Sequence, residues 1–239
     1  MQPPLPYKSI RTTKAYDDLL NALYMKVTRN VDEIAVPPVQ AISVRGNEPP
    51  ATKQYQDAIA VLYGIGYGLK MGLKFERWPR PKGYFDYRVG ALGTFWASTG
   101  KTLAINDPTT LRWQAYLMVP AFVSKALVEQ ARAQAKARHP DIPYERASLE
   151  IVKEGRCVQV LHVGPYDAEQ PTLDQLHRYV TEHALTVRGR HHEIYISDPR
   201  RTTPAKLKTV IRLAVKRAAA RARVPGRTGR GGGPRRVGA

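Results

Sequence analysis

The chain has 239 residues, with 38 Lys and Arg against 20 Asp and Glu and a formal net charge of +18. Its length and its 43% apolar content allow one compact domain or two small ones with a sizeable core, and the lone Cys157 excludes an intramolecular disulfide, which fits a reducing compartment. No run approaches the roughly 18 apolar residues of a membrane span, and Met1 to Ile10 is proline-rich without the apolar stretch of a secretory signal, so a soluble, cytoplasmic protein without membrane contact is expected.

In chain order, residues 1–38 read as an N-terminal extension. Val39 to Val44 reads as a strand, and a turn at Pro49-Pro50 leads into a helix over about 52–73, with Tyr55, Ala58, Ile59, Leu62, Gly66 and Leu69 on one stripe. Gly64, Gly66, Gly68 and Gly72 in that helix each cost up to about 1 kcal/mol relative to Ala, which close helix-to-sheet packing or the widening of a neighbouring cavity would explain. Tyr84 to Leu92 and Arg112 to Val119 read as strands. Ala121 to Arg138 then forms a helix ended by His139-Pro140. Leu149 to Val152 is expected to make a hairpin with a strand over Cys157 to Val163, and Pro171 opens a helix carrying Leu173, Leu176, Val180 and Ala184. His191 to Ile196 and Lys208 to Val215 are the last two strands.

The order strand, helix, strand, strand therefore occurs twice, over about 39–120 and 145–217, joined by a helix. The fold expected is α+β, a pseudo-twofold tandem repeat in which two helix-backed sheets face one another across a ligand groove. Laying one half over the other puts Phe85 and Tyr87 opposite Glu193 and Tyr195.

The segment His191 to Arg201 places a carboxylate where a strand is usually apolar. Alternation puts Glu193 and Tyr195 on one face, with His192, Ile194 and Ile196 on the other. If that face lines a cavity, a buried carboxylate beside a phenol is a proton-transfer or cation-binding pair; on a solvated face it is an ordinary surface pair. Tyr84, Phe85, Tyr87, Phe95, Trp96 and Trp113 are either core or the walls of a cage for a polycyclic or cationic ligand. His162 is a pocket proton donor or a satisfied core histidine. His191 and His192, as strand neighbours, point to opposite faces and cannot share one ion, so no metal site and no cofactor is expected. Ser98 to Thr102 ends like a phosphate-binding loop, but Phe95 stands where that pattern needs glycine.

No acidic residue follows Asp198, and eight basic residues lie between Lys216 and the C-terminus. The Arg- and Gly-rich stretch 218–239 reads as a disordered tail, either a solvated extension or a weak nucleic-acid contact through phosphates.

Taken together, Val160 to Asp167, His191 to Arg201 and Lys206 to Arg212, with Gly83 to Tyr87 and Lys53 to Lys70 upstream, resemble the GyrI-like small-molecule-binding family over about Pro37 to Arg217. The resemblance implies a tandem strand-helix-strand-strand fold with a cleft for bulky aromatic or cationic compounds and a buried Glu at Glu193. Some stand-alone members of the family hydrolyse cyclopropane-containing alkylating natural products. By that resemblance Glu193 would activate water, Tyr195 would donate a hydrogen bond to the dienone oxygen of the substrate, and Tyr87, Trp96 and Tyr166 would form stacking walls. The other activity it implies is a non-catalytic module that sequesters ligands or modulates a partner such as DNA gyrase. Phe95-Trp96 departs from the paired tryptophans frequent in the family, and residues before Val39 are too few for a DNA-binding helical domain.

Overall fold

The structure is a computed structural model and describes residues 7–100 and 103–218. The expected basic tail beyond Ala218 lies outside the described residues. The helices are α1 (Thr13–Leu20), α2 (Lys53–Lys74), α3 (Lys125–Arg138) and α4 (Gln170–Glu182). The strands are β1 (Asp32–Val36), β2 (Val39–Gly46), β3 (Leu92–Ser98), β4 (Leu111–Met118), β5 (Ser148–Val152), β6 (Gly155–Val163), β7 (Leu185–Tyr195) and β8 (Lys208–Arg217).

All eight strands join one antiparallel sheet in the order β1-β6-β8-β7-β3-β4-β2-β5. The two repeats are β2-α2-β3-β4 and β6-α4-β7-β8, and they meet edge to edge where β3 pairs with β7, around Thr94 opposite Glu193. The tandem repeat is thus present, but its halves form a single continuous sheet instead of two facing sheets. Unsatisfied edges explain this: β3 and β7 each have an open side, and pairing them removes both.

The expected hairpin between Leu149 to Val152 and the Cys157 strand does not form. β5 pairs with β2, with Val39 opposite Val152, while β6 takes β1, with Ile34 opposite Cys157. Gly155 has a φ of 72°, and the two-residue link Lys153-Glu154 sends the chain across to the far side of the sheet instead of back along β5. In a flat sheet β5 and β6 would stand six strand spacings apart, about 29 Å, whereas a two-residue link reaches about 11 Å. The same holds for β1 and β2 across Pro37-Pro38, so the sheet curls until its edges approach.

Residues 1–38, read as an extension, are from Tyr7 onward part of the fold. Tyr16, Leu19 and Leu20 of α1 are buried with Ile34 and Val36 of β1 against Phe95, Tyr116 and Ile194. The stripe on α1 is short, and the prolines before it mask it in the sequence.

Tyr84 to Ala91 is not a strand; β3 begins at Leu92 and runs on through Trp96. The alternation that suggests one arises because Phe85 and Tyr87 plug into the α1 face, with Tyr16 and Phe122 rings 5.2–6.0 Å away, while the segment itself pairs with no strand.

The other face of the sheet carries α2 and α3 over one repeat and α4 over the second. Close packing accounts for the α2 glycines. A Cβ on Gly72 would lie 2.5 Å from the Trp78 ring, and one on Gly64 would lie 2.8 Å from that of Tyr144. α2 and α4 are separated above the β3–β7 junction, and that gap is the site. Among the described residues no helix is long and apolar enough to cross a membrane.

Candidate functional site

A cavity of about 1070 Å³ opens between α2 and α4, with β3 and β7 as its floor. This is at the upper end of small-molecule pockets, which run from roughly 300 to 1,000 Å³. Glu193, Tyr195 and His191 rise from β7 on the cavity side, as strand alternation requires. β7 carries an irregularity between Val187 and His191: four residues span what two span on β8, from Val215 to Leu213. An excess of two residues leaves the alternation in phase, so His191 and Glu193 still face the helices.

The three side chains form one hydrogen-bonded cluster. Tyr195 donates its hydroxyl proton to Glu193 Oε2 at 2.7 Å, and His191 Nε2 meets Glu193 Oε1 at 2.9 Å. Trp96 Nε1 donates to the Tyr195 oxygen at 3.3 Å. Glu193 is only 8% exposed. Burial opposes its ionisation, but the His191 contact and then the Tyr195 and Trp96 hydrogen bonds outweigh it and hold the carboxyl below its usual range. Burial, then the charge on Glu193, pushes the Tyr195 phenol well above its usual range.

Glu169, unnoticed in the sequence, completes the cluster. It starts α4, yet its side chain makes no capping hydrogen bond, and Oε1 is buried without a partner. One oxygen of Glu169, Nε2 or Nδ1 of His191 and one oxygen of Glu193 all lie within 4.8 Å of one another. Burial, followed by the charge on Glu193, pushes the Glu169 carboxyl up to about 9. A Glu just before a helix normally reads as an exposed acid complementing the helix dipole, so the sequence carries no sign that it turns inward. These three residues are also the described set whose atoms are close enough to hold a divalent ion, a different set from the His191 and His192 pair considered in the sequence. His192 is on the opposite face, bonded to Glu154 and Tyr116.

The walls are aromatic. Trp96 and Tyr55 pack with centroids 5.1 Å apart, and Tyr166 meets Tyr195 edge to face at 5.7 Å. Trp96 and Tyr166 therefore line the cavity with Glu193 and Tyr195, together with Tyr55 and Tyr63, which sequence reasoning treated only as helix packing or not at all. Phe85 and Tyr87, expected as walls, lie in the α1 core on the other face of the sheet. Their displacement follows from the later start of β3, which brings Thr94 and Trp96 to the junction instead. His162 is buried, its ring nitrogens bonded to Thr172 Oγ1 at 3.0 Å and the Pro165 carbonyl at 3.2 Å. It ties the turn carrying Tyr166 and Glu169 to α4 and does not reach the cavity.

A tandem strand-helix-strand-strand sheet with an aromatic cleft over a buried Glu defines a small-molecule-binding protein. The GyrI-like small molecule binding domain model matches residues 121–216. An uncharacterized conserved protein from Listeria innocua is 35% identical, with a TM-score of 0.75 over 82% of this chain and 98% of its own. A hydrolase from Listeria innocua is 32% identical, with a TM-score of 0.74 over 87% of this chain and 100% of its own. A further solved structure of a hydrolase from Listeria innocua is 33% identical at the same TM-score. No curated protein matches the sequence significantly. The chain belongs to the GyrI-like small-molecule-binding family.

Proposed function

We propose that this protein binds a bulky aromatic electrophile in the cavity between α2 and α4 and hydrolyses it, with a cyclopropane-containing dienone as the substrate class. The observation that carries the reading is the buried Glu193, held by His191 and Tyr195 on the floor of an aromatic-walled cavity. An ionised carboxylate that water can reach from the cavity is a general base, and its two fixed hydrogen bonds keep it aimed. Tyr166 offers a flat face to a polycyclic ligand, and Trp96, 1% exposed and packed on Tyr55, backs the cavity floor, which brings the strained ring over Glu193. The two hydrolases from Listeria innocua that resemble the chain along its length add support.

Tyr195 acts in this reading by positioning Glu193. Its single hydroxyl proton is directed at the carboxylate, so it is not available to the substrate in the resting site.

The test is incubation with a panel of polycyclic cyclopropane electrophiles, with products weighed by mass spectrometry. Addition of one water by the wild type and loss of that product in Glu193→Gln are expected. A Glu193→Gln protein that hydrolyses as fast as wild type would sink the proposal.

A binding-only module is the second reading, supported by the aromatic-walled cavity of about 1070 Å³, which can hold a bulky ligand without any reaction. It predicts saturable quenching of Trp96 fluorescence with no change in ligand mass. Sequestration of the ligand or modulation of DNA gyrase would then be the activity. Cytoplasmic residence and a weak nucleic-acid contact through the basic stretch 218–239 belong to the same proposal, the second testable by DNA retention at low salt with and without that stretch.

A further inference from the structure

Ring opening needs two proton transfers, and the cluster around Glu193 accounts for only one. When water adds to the cyclopropane CH2, a C–O bond forms and the ring C–C bond breaks. The electron pair of that bond flows into the dienone, leaving negative charge on its oxygen. Glu193 takes the proton from water. The oxygen needs a proton from elsewhere, and Tyr195 has committed its own to Glu193.

Glu169 has the right placement for the second transfer. It lines the cavity, is 6% exposed, has one carboxyl oxygen without a partner and sits with one oxygen within 4.8 Å of a His191 ring nitrogen and a Glu193 carboxyl oxygen. Two buried carboxyls this close do not both ionise readily. The groups facing Glu169 argue the same way: Glu193 and Tyr195 from β7 and Tyr166 from its own turn supply no cation. The guanidinium of Arg200 at the cavity mouth is paired with Asp198 at 2.9 Å, and His191 is engaged by Glu193.

We propose that Glu169 is a second catalytic carboxyl, the acid that protonates the substrate oxygen while Glu193 deprotonates water, and that Glu193 then returns its proton to Glu169. This rests on the hydrolytic reading above. The balance closes: Glu193 gains a proton from water, Glu169 gives one to the phenolate, and transfer between them restores both, with net addition of one water. A separation within 4.8 Å lets the proton return through one bridging water, without passing through bulk solvent.

The test compares wild type, Glu169→Gln and Glu169→Asp on a cyclopropane dienone across the neutral to alkaline range. Initial rates come from product mass, and binding comes from Trp96 quenching. Glu169→Gln keeps the shape of the side chain but cannot give up a proton. Its kcat is expected to fall about 100-fold or more, with ligand affinity held within about threefold. Wild-type rate should decline at alkaline pH, Glu169→Asp should retain such a decline, and the residual Glu169→Gln rate should lack it. A Glu169→Gln enzyme with wild-type rate, or with the same alkaline decline, overturns the proposal. Loss of wild-type activity on metal chelation also overturns it, since the cluster would then be holding an ion.

Infrared spectroscopy of the wild type tests the same assignment if the variant misfolds. A neutral carboxylic-acid band should persist at neutral pH and vanish at alkaline pH, and its absence at neutral pH overturns the proposal. A wild type that forms no product on any substrate overturns the hydrolytic reading and this one with it. An active wild type with an indifferent Glu169→Gln variant overturns this one alone.

Discussion

Arg212 Nη1 meets Glu154 Oε2 at 3.0 Å on the α1 face of the sheet, and both residues are buried. Arg212 also donates from Nε to Gln159 at 3.0 Å and reaches the Leu23 carbonyl just after α1, while Glu154 Oε1 is bonded to His192 Nδ1 at 2.8 Å. One ion pair thus ties β8, the β5–β6 link, β7 and the N-terminal helical segment together. Removing one partner strands a buried charge, so Arg212→Met is expected to cost about 3–5 kcal/mol in urea unfolding. A loss within about 0.5 kcal/mol would show that the network is not what docks α1.

Glu154 also sets an acid limit. Burial raises its carboxyl, but His192 and Arg212 outweigh that and hold it at about 2. A depressed carboxyl stabilises the fold above its unfolded value of 4.5, and that contribution is lost as pH falls toward about 2. Stability measured over this window should therefore fall in the wild type and fall less steeply in Glu154→Gln. Equal slopes for the two proteins would reject the assignment.

Gly72 is a packing glycine in α2, and the expected result of Gly72→Ala separates the two explanations for the glycines of that helix. Alanine gains up to about 1 kcal/mol of helix propensity, but its Cβ would sit 2.5 Å from the Trp78 ring. Displacing an indole at 7% exposure is expected to dominate, leaving a net loss of about 1–3 kcal/mol in the unfolding free energy from urea titration. A more stable Gly72→Ala protein would mean that Trp78 gives way easily.

The sequence made the repeat legible because each half has its own helix stripe and its own strand pair. Tyr55, Leu62 and Leu69 on α2 and Leu176 and Val180 on α4 are buried as their spacing requires. The pairing of β1 with β6 and β5 with β2 was not legible, since nothing in a five-residue strand states which edge it joins. Glu193 and Tyr195 could be read as a same-face pair from alternation alone, and they share a hydrogen bond. Phe85 and Tyr87 alternate just as well, but an extended segment packed on one side has the same period as a paired strand. Tyr55 comes from α2 and Glu169 from the N-terminal cap position of α4, and their meeting with β7 depends on how far apart α2 and α4 sit, which is a tertiary property.

Tyr195 separates positioning from binding. Tyr195→Phe keeps the ring that meets Tyr166 but removes the hydrogen bond to Glu193 and the acceptor for Trp96. Losing a charge-assisted hydrogen bond of this kind is worth about 1.5–3 kcal/mol. Hydrolysis is expected to fall at least about 10-fold, with the ligand dissociation constant changed less than about threefold. A large loss of affinity with kcat intact would instead make Tyr195 a ligand contact.

Glu169 carries a stability signature independent of turnover. Its carboxyl is pushed from the usual 4.5 up to about 9 by burial and by the charge on Glu193. The fold therefore holds this proton more tightly than the unfolded chain does, and by linkage its contribution is fully present below pH 4.5 and lost as pH rises toward about 9. The partial positive charge at the start of α4 opposes the shift but is worth at most about 1–2 kcal/mol. Glu169→Gln replaces the ionisable group by a neutral one of the same shape. Its melting temperature should match that of wild type near pH 4.5 and exceed it by several degrees at about pH 9. A gap that stays constant, or that narrows as pH rises, would place the ionisation of Glu169 in the ordinary carboxylate range and remove the acid from the site.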